Sequence, residues 1–338
     1  MATRRLAAEQ YVSGVLAGDV ATLARTITVV ESDLPSDGQL AADILDSLLP
    51  HTGKSRRIGI TGVPGVGKST FIDKIGLHII RERGEKLAVL SIDPSSPITG
   101  GSILGDKTRM EMLAAEPHAF IRPSPSRGSL GGVTGRTRET MLVCEAAGFN
   151  NIFVETVGVG QSEIVVRTMT DFLLLLMLPG AGDQLQGIKR GIRELVDAIA
   201  INKADGPQLA LAQLAKADYE SALHLFAPGA GGWTPPVMLC SANTTAGIVE
   251  IWECILRHEQ FQKDHGLQDE IRREQSLSAM RQMISGELET AFRRNPAVAR
   301  KLRQAESQVR DGRMTSFAGA RALLGEFWNS VRKKTGDG

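Results

Sequence analysis

Apolar residues are spaced in three different ways along this chain. Up to residue 53 they recur at helical intervals. Leu6, Val12, Val15 and Leu16 come first, then a run from Val20 to Ile27 behind Asp19, whose short carboxylate suits an N-cap. A third helix is predicted from Gln39 to Leu49, stopped by Pro50. From Arg57 to about Gln260 the spacing changes. Short, almost wholly apolar runs at 57–61, 87–92, 151–155, 172–178, 198–202 and 237–240 are separated by long, helix-compatible connections. Runs without alternation belong to strands buried on both faces, and long connections belong to parallel crossovers. The predicted fold class is therefore α/β, with a mostly parallel central sheet flanked by helices. From Gln262 onward the chain reads as helical and highly charged. Leu277, Met280, Ile284, Leu288 and Phe292 follow at spacings of three and four, a single apolar stripe. The stripe either packs onto its own domain or meets a second copy or a partner; spacing does not choose between these.

Composition narrows the class. Hydrophobic residues make up 42% of 338, enough for a sizeable core. Lys+Arg is 39 against 38 Asp+Glu, a net charge of +1 that gives no reason to expect a nucleic-acid partner. Cys144, Cys240 and Cys254 are too scattered for a metal knuckle or a disulfide framework, so a reducing compartment is expected. The longest apolar run, Phe172 to Leu178, is far short of the roughly 20 residues that span a membrane, and the N-terminus lacks a signal-type apolar stretch. The expectation is a cytoplasmic protein that meets no membrane. The histidines show no metal spacing; His258 and His265 read as surface residues.

One motif carries strong chemistry. Behind the predicted strand ending at Thr61 comes Gly62-Val63-Pro64-Gly65-Val66-Gly67-Lys68-Ser69-Thr70, and then a helical run from Phe71. This is G-x-x-x-x-G-K-[ST] between strand and helix, the phosphate loop of nucleoside triphosphatases. Glycines let the backbone wrap an anion, and N–H groups at the helix start point at it. Lys68 is expected at the β- and γ-phosphates, and Ser69 offers its hydroxyl to Mg²⁺.

A second segment reads the base. The run Ala198 to Ile201 ends in Asn202-Lys203-Ala204-Asp205. A carboxylate at Asp205 accepts from both N1–H and the 2-amino group of guanine, a donor pair that adenine lacks. Lys203 can lie along the base, Asn202 can brace the phosphate loop, and Ser241-Ala242-Asn243 follows another strand where a backbone N–H can meet guanine O6. N-K-x-D alone is a weak pattern; its place after a phosphate loop and at a strand end selects GTP over ATP.

Metal and switch candidates follow. Asp93 ends the predicted strand 87–92 and is a candidate Mg²⁺ carboxylate, with a turn cap as the plain reading. Glu155-Thr156-Val157-Gly158 resembles the D-x-x-G switch with Glu in place of Asp. Asp106, in a loop rich in glycine and hydroxyls, is a further metal candidate. Lys189, beyond a glycine-rich stretch, is either a phosphate contact or a solvated lysine. The glycine-rich stretch 127–136 lacks Gly-Lys-Ser and is no second phosphate loop.

The phosphate loop, the segment Ser91 to Asp106, Glu155 to Glu163 and Asn202 to Asp205 together resemble the MeaB/ArgK family of P-loop GTPases. The long D-P-S-S-P…G-G-S-I-L-G-D segment is the most specific part. The resemblance implies a GTPase domain at 54–261, a helical N-terminal extension at 1–53 and a helical dimerisation arm at 262–338. It implies a homodimer, Mg²⁺ held by Ser69, Asp93, Asp106 and Glu155, and a third switch around Lys189. Lys68, Glu155 and Lys189 become the candidate catalytic side chains. It also implies a chaperone whose GTP hydrolysis gates cofactor loading and protection of adenosylcobalamin-dependent methylmalonyl-CoA mutase. Small GTPases often carry Gln directly after the switch glycine; here Val159 stands there and Gln161 comes later, so slow intrinsic hydrolysis is expected. The alternative is an ATP-dependent small-molecule or protein kinase, which N-K-x-D disfavours. A nickel-enzyme maturation factor would carry His- or Cys-rich segments, and none is seen.

Overall fold

The structure, a computed structural model, describes residues 5–32, 34–93, 110–125, 130–156, 162–180, 195–224 and 230–335. Two compact units, Met1–Ala279 and Met280–Gly338, divide the chain.

The first unit is built on a seven-stranded sheet in which every pairing is parallel. Its strands are β1 (Arg56–Gly62), β2 (Leu87–Asp93), β3 (Ala119–Pro125), β4 (Asn151–Thr156), β5 (Phe172–Met177), β6 (Ala198–Ile201) and β7 (Val237–Leu239). They lie in the order β3-β2-β4-β1-β5-β6-β7. All six predicted strands form, within a residue or two of their expected ends. The seventh, β3, was not legible because Pro123 and Pro125 break its pattern. It is an edge strand, paired only with β2, where a missing N–H breaks no second ladder.

Alternate residues of each strand enter different cores. Ile58 and Ile60 face α4 (Lys68–Arg83) and α9 (Ile248–Asp264), with Phe71, Ile75, Trp252 and Ile255. On the other face, Leu90, Ile152, Val154 and Leu175 share a core with α1 (Ala8–Leu16), α2 (Val20–Val30), α3 (Pro35–Leu48) and α6 (Leu130–Ala146). The N-terminal helices are thus one wall of the sheet's own core: Val15, Leu23, Ile27, Ile44 and Leu48 are each at most 1% exposed. Asp19 caps α2, accepting from the Thr22 N–H at 2.8 Å. The third helix starts at Pro35 rather than Gln39, because proline fits the first helical turn, and Pro50 sits in a 3-10 turn, Leu49–His51. Two further short helices are α5 (Glu111–Ala114) and α7 (Ser162–Arg167), and α8 (Leu209–His224) follows β6.

His258 is not a surface residue. It is 3% exposed on α9, its Nε2 3.4 Å from Asp197 Oδ1, and it packs edge-on against Phe172 and Trp233. Helical spacing placed it on the same stripe as Ile251 and Ile255, a signal the polar side chain obscured. His265 is exposed. The three cysteines are free and buried. Among the described residues, no helix is long and apolar enough to cross a membrane.

A long helix, α10 (Leu267–Arg294), contains the boundary between the two units. The second unit continues with α11 (Pro296–Arg310), capped by Asn295, and α12 (Ser316–Thr335). Its core is small: Val298, Ala305 and Leu323, with Phe292, Leu302 and Phe327 around them. The apolar stripe of α10 divides here. Phe292 packs on Phe327, ring centroids 5.5 Å apart, whereas Met280, Met283, Ile284 and Leu288 remain exposed.

Candidate functional site: a phosphate loop braced by a base-reading strand end

All strands of a parallel sheet end on one side, and the predicted site residues that the structure describes gather there. β1 runs into the loop Gly62–Gly67, and α4 begins at Lys68. Gly67 has φ +91°, and a Cβ there would lie 3.1 Å from Asn202 Nδ2, so both conformation and space call for glycine. Lys68 is 9% exposed. Its ammonium donates to the Gly62 carbonyl at 2.7 Å, folded across the loop that an anion would fill. Burial lowers the pKa of Lys68, while the charges of Glu155 and Glu163 oppose that shift.

The next residue of α4 reaches β4. Ser69 Oγ donates to Glu155 Oε1 at 3.2 Å. Glu155 is 4% exposed and stands between β1 and β2, in register with Ile60 and Ser91. A hydroxyl and a carboxylate side by side, next to a phosphate loop, are the hard oxygen donors Mg²⁺ takes. Among the described residues no three His, Cys, Asp or Glu side chains converge into a cage. Mg²⁺ does not require one, since it keeps water and substrate phosphates as ligands. The residues therefore fit the ion. Beneath them, Thr156 Oγ1 donates to Thr61 Oγ1 at 2.9 Å, both residues fully buried, tying the root of the phosphate loop to the root of the predicted switch.

On the other side of β1, Asn202 follows β6 and is 1% exposed. Its Nδ2 donates to the Val66 carbonyl at 2.8 Å, and its Oδ1 accepts from the Ala242 N–H at 3.0 Å. The Cys240 thiol lies 3.7 Å from the same Oδ1, which orients the amide. Lys203 sits at φ +61°, unusual for a residue with a side chain, and its ammonium donates to the Gly65 carbonyl at 2.9 Å. Ala204 N–H donates to the Cys240 carbonyl at 3.0 Å. The loop after β7 is pinned to the strand end before Asp205, and both are pinned to the phosphate loop. Ser241 is buried, its hydroxyl accepting from Thr244 N–H at 3.2 Å, while Asn243 is exposed. Asp205 is half-buried; its carbonyl accepts from the Gln208 N–H at 3.1 Å, and its carboxylate caps no helix N–H.

Two clusters thus form: Lys68, Ser69 and Glu155; and Gly65, Val66, Asn202, Lys203 and Ala242. Asp93 ends β2, but its side chain lies outside the described residues, as do Asp106, Lys189, Gly158 and Gln161 in full. Thr61, Thr156 and Cys240 were not singled out from the sequence. Thr61 and Thr156 adjoin recognised motifs, and only strand register reveals that they meet.

Comparison with known proteins agrees with this geometry. The family profile described as methylmalonyl Co-A mutase-associated GTPase MeaB matches residues 23–297. The GTPase ArgK of Escherichia coli is 45% identical over 306 residues, 90% of this chain and 92% of that one. The mitochondrial methylmalonic aciduria type A homolog of Mus musculus is 39% identical over 329 residues, covering 94% and 79%. A crystal structure described as a LAO/AO transport system kinase superposes with a TM-score of 0.76 at 36% identity, covering 96% of this chain and 99% of that one. With a phosphate loop and an Asn-Lys-x-Asp strand end locked together in a parallel α/β sheet, this chain is a P-loop GTPase and belongs to the methylmalonyl-CoA mutase-associated GTPase MeaB family.

Proposed function

We propose that this protein binds GTP with Mg²⁺ and uses its slow hydrolysis to gate cofactor loading and protection of adenosylcobalamin-dependent methylmalonyl-CoA mutase. The observation that carries the reading is Asn202, which joins the phosphate loop at Val66 to the loop after β7 at Ala242. Through it, occupancy of the base pocket and of the phosphate loop become one event. The family description and the mouse relative's name support the client.

In this reading the nucleotide lies along Gly62–Thr70, with guanine at Asn202, Lys203, Asp205 and Ser241–Asn243. Water attacks the γ-phosphate in line, and the bond to the bridging oxygen breaks. Lys68 leaves the Gly62 carbonyl for the phosphate oxygens and offsets charge there. Ser69 and Glu155, with Asp93 and Asp106, hold Mg²⁺, which when bound draws charge from the phosphates. Lys189 belongs to a third switch. Slow turnover follows from the lack of an assigned water-orienting side chain, and ordering of the switches by the client accelerates it. The segments 1–53, 54–261 and 262–338 serve as extension, GTPase domain and arm, in the cytoplasm, without nucleic acid or membrane.

One experiment tests nucleotide and client together. Immobilised protein is loaded with a non-hydrolysable GTP analogue, the matching ATP analogue, or nothing, and offered purified mutase. Retention that depends on the GTP analogue alone is expected. Equal retention in all three arms, or preference for the ATP analogue, overturns the reading. The transport-kinase description of the structural relative has its own signature, γ-phosphate appearing on an acceptor rather than as inorganic phosphate.

The arm is proposed to make a homodimer. The second unit has too small a core for independent stability and exposes Met280, Met283, Ile284 and Leu288 on one helix face. Ile284→Asp with Leu288→Asp is expected to convert the parent dimer to a monomer in sedimentation equilibrium. An unchanged mass for this variant argues that the face packs elsewhere.

A further inference from the structure

Helix α7 has only six residues, too few to hold together alone in water. It follows closely on the Glu155–Thr156 end of β4, and three attachments position it. Its inner residue Val166 is fully buried against β1, at a place where a Cβ on Gly59 would lie 2.4 Å from Val166 Cγ1. Its first turn carries Glu163, 5% exposed, whose charge is felt by Lys68 alongside that of Glu155. Its last turn and the link to β5 end in carbonyls that need donors. Thr168, Met169 and Thr170 supply those for Ile164, Val165 and Val166, and Arg138 on α6 reaches the Thr168 carbonyl. The donors to the Arg167 and Thr170 carbonyls come from α10, a helix outside the sheet.

Gln275 Nε2 donates to the Arg167 carbonyl at 3.2 Å and to the Thr170 carbonyl at 2.9 Å. Gln275 is 7% exposed. Beside it, Arg272 grips Asp171 through Nε and Nη2 at 2.8 and 2.6 Å, which anchors α10 to the start of β5. The Arg272 pair supplies the anchorage. Gln275 adds something different: one amide spans the end of α7 and the residue before Asp171, so α7 is held against a fixed strand.

We propose that Gln275 is a positioning residue for GTP hydrolysis, holding the C-terminal end of α7 so that Glu163 keeps its place relative to Lys68. The proposal rests on the nucleotide site argued above. A carboxylate that shifts in a buried setting changes the field at the ammonium, because little solvent screens it. Nucleotide affinity comes mainly from the phosphate loop and the base-reading loops, none of which Gln275 touches. The effect therefore belongs in turnover rather than in GDP binding.

Gln275→Met keeps the volume and removes both donors. It is expected to lower kcat for GTP about tenfold while GDP affinity changes less than about twofold. Amide exchange of residues 162–170 is expected to quicken in this variant, with the rest of the chain unaltered. Glu163→Gln is expected to slow turnover too, and the double variant to be no slower than the slower single one, since both act on one step. Gln275→Asn, which reaches one carbonyl, serves if the Met variant melts below the assay temperature, and should fall between it and wild type. Wild-type turnover in a Gln275 variant, effects that multiply in the double variant, or equal losses of kcat and GDP affinity would overturn the proposal. Absence of GTP turnover by the wild-type protein would instead refute the site itself, and leave the exchange result to stand separately.

Discussion

Replacing Lys68 with alanine is expected to slow GTP turnover by about 10²–10³-fold, the cost of removing one charge-stabilising donor from a preorganised site. Lys68 is held ready by the fold. It is 9% exposed, bonded at 2.7 Å to the Gly62 carbonyl, and set between the fields of Glu155 and Glu163. Burial favours its neutral form and the two carboxylates favour the cation. A phosphate chain entering the loop would add further negative charge and hold the cation in place. The ammonium interacts most strongly where charge develops on the transferred phosphoryl group, so kcat should fall further than GDP affinity. Lys68→Arg is expected to fail as well, because a planar fork does not replace a compact point charge wrapped under a tight loop. Single-turnover hydrolysis and GDP titration measure the two effects. Turnover within twofold of wild type would remove Lys68 from the mechanism.

Glu145→Ala is expected to cost about 3–5 kcal/mol of folding stability, the penalty for leaving a buried charge without its partner. Glu145 on α6 and Arg57 on β1 pair at 2.7 Å with side chains 1% and 5% exposed. The other Glu145 oxygen accepts from the Gly53 N–H at 2.6 Å. Around them are Arg138 and Arg272, with Asp171 the second carboxylate. Burial, reinforced by the charge of Arg57, pushes the Arg138 pKa down to about 10. Removing Glu145 leaves three guanidinium groups facing one carboxylate in a largely buried setting. The paired replacement Arg57→Met with Glu145→Leu should be milder than Glu145→Ala, since both partners leave together and the net charge of the cluster is unchanged. Urea unfolding of the three variants measures this. A loss below about 1 kcal/mol for Glu145→Ala would mean that water enters the cluster.

These two expectations differ in where their evidence lies. Lys68 was legible from spacing alone, because G-x-x-x-x-G-K-[ST] between a strand and a helix leaves few other uses for the lysine. Asn202, read as a brace for the phosphate loop, bonds the Val66 carbonyl, whereas the contact of Lys203 with Gly65 was not anticipated, since Lys203 was read as lying along the base. The charged cluster under the sheet was invisible. Arg57, Glu145, Asp171 and Arg272 are spread over the chain, and no local pattern marks a charge as buried. His258 was misread for the same reason. Strand β3 was missed because Pro123 and Pro125 signal a break when read locally and an edge only when the sheet is assembled.

Local chemistry was sufficient for whatever depends on neighbours in the chain: the period of apolar residues, the glycine loop, the carboxylates at strand ends, and from them the parallel α/β class and the choice of GTP. What depends on residues far apart needed the folded chain. The tertiary structure decided that the first three helices wall the sheet's own core, that Thr61 and Thr156 meet across two strands, and that Gln275 caps a helix more than a hundred residues before it. The reason is physical. Helix and turn preferences act over a few residues, whereas burial and desolvation are set by whichever surfaces the fold brings together.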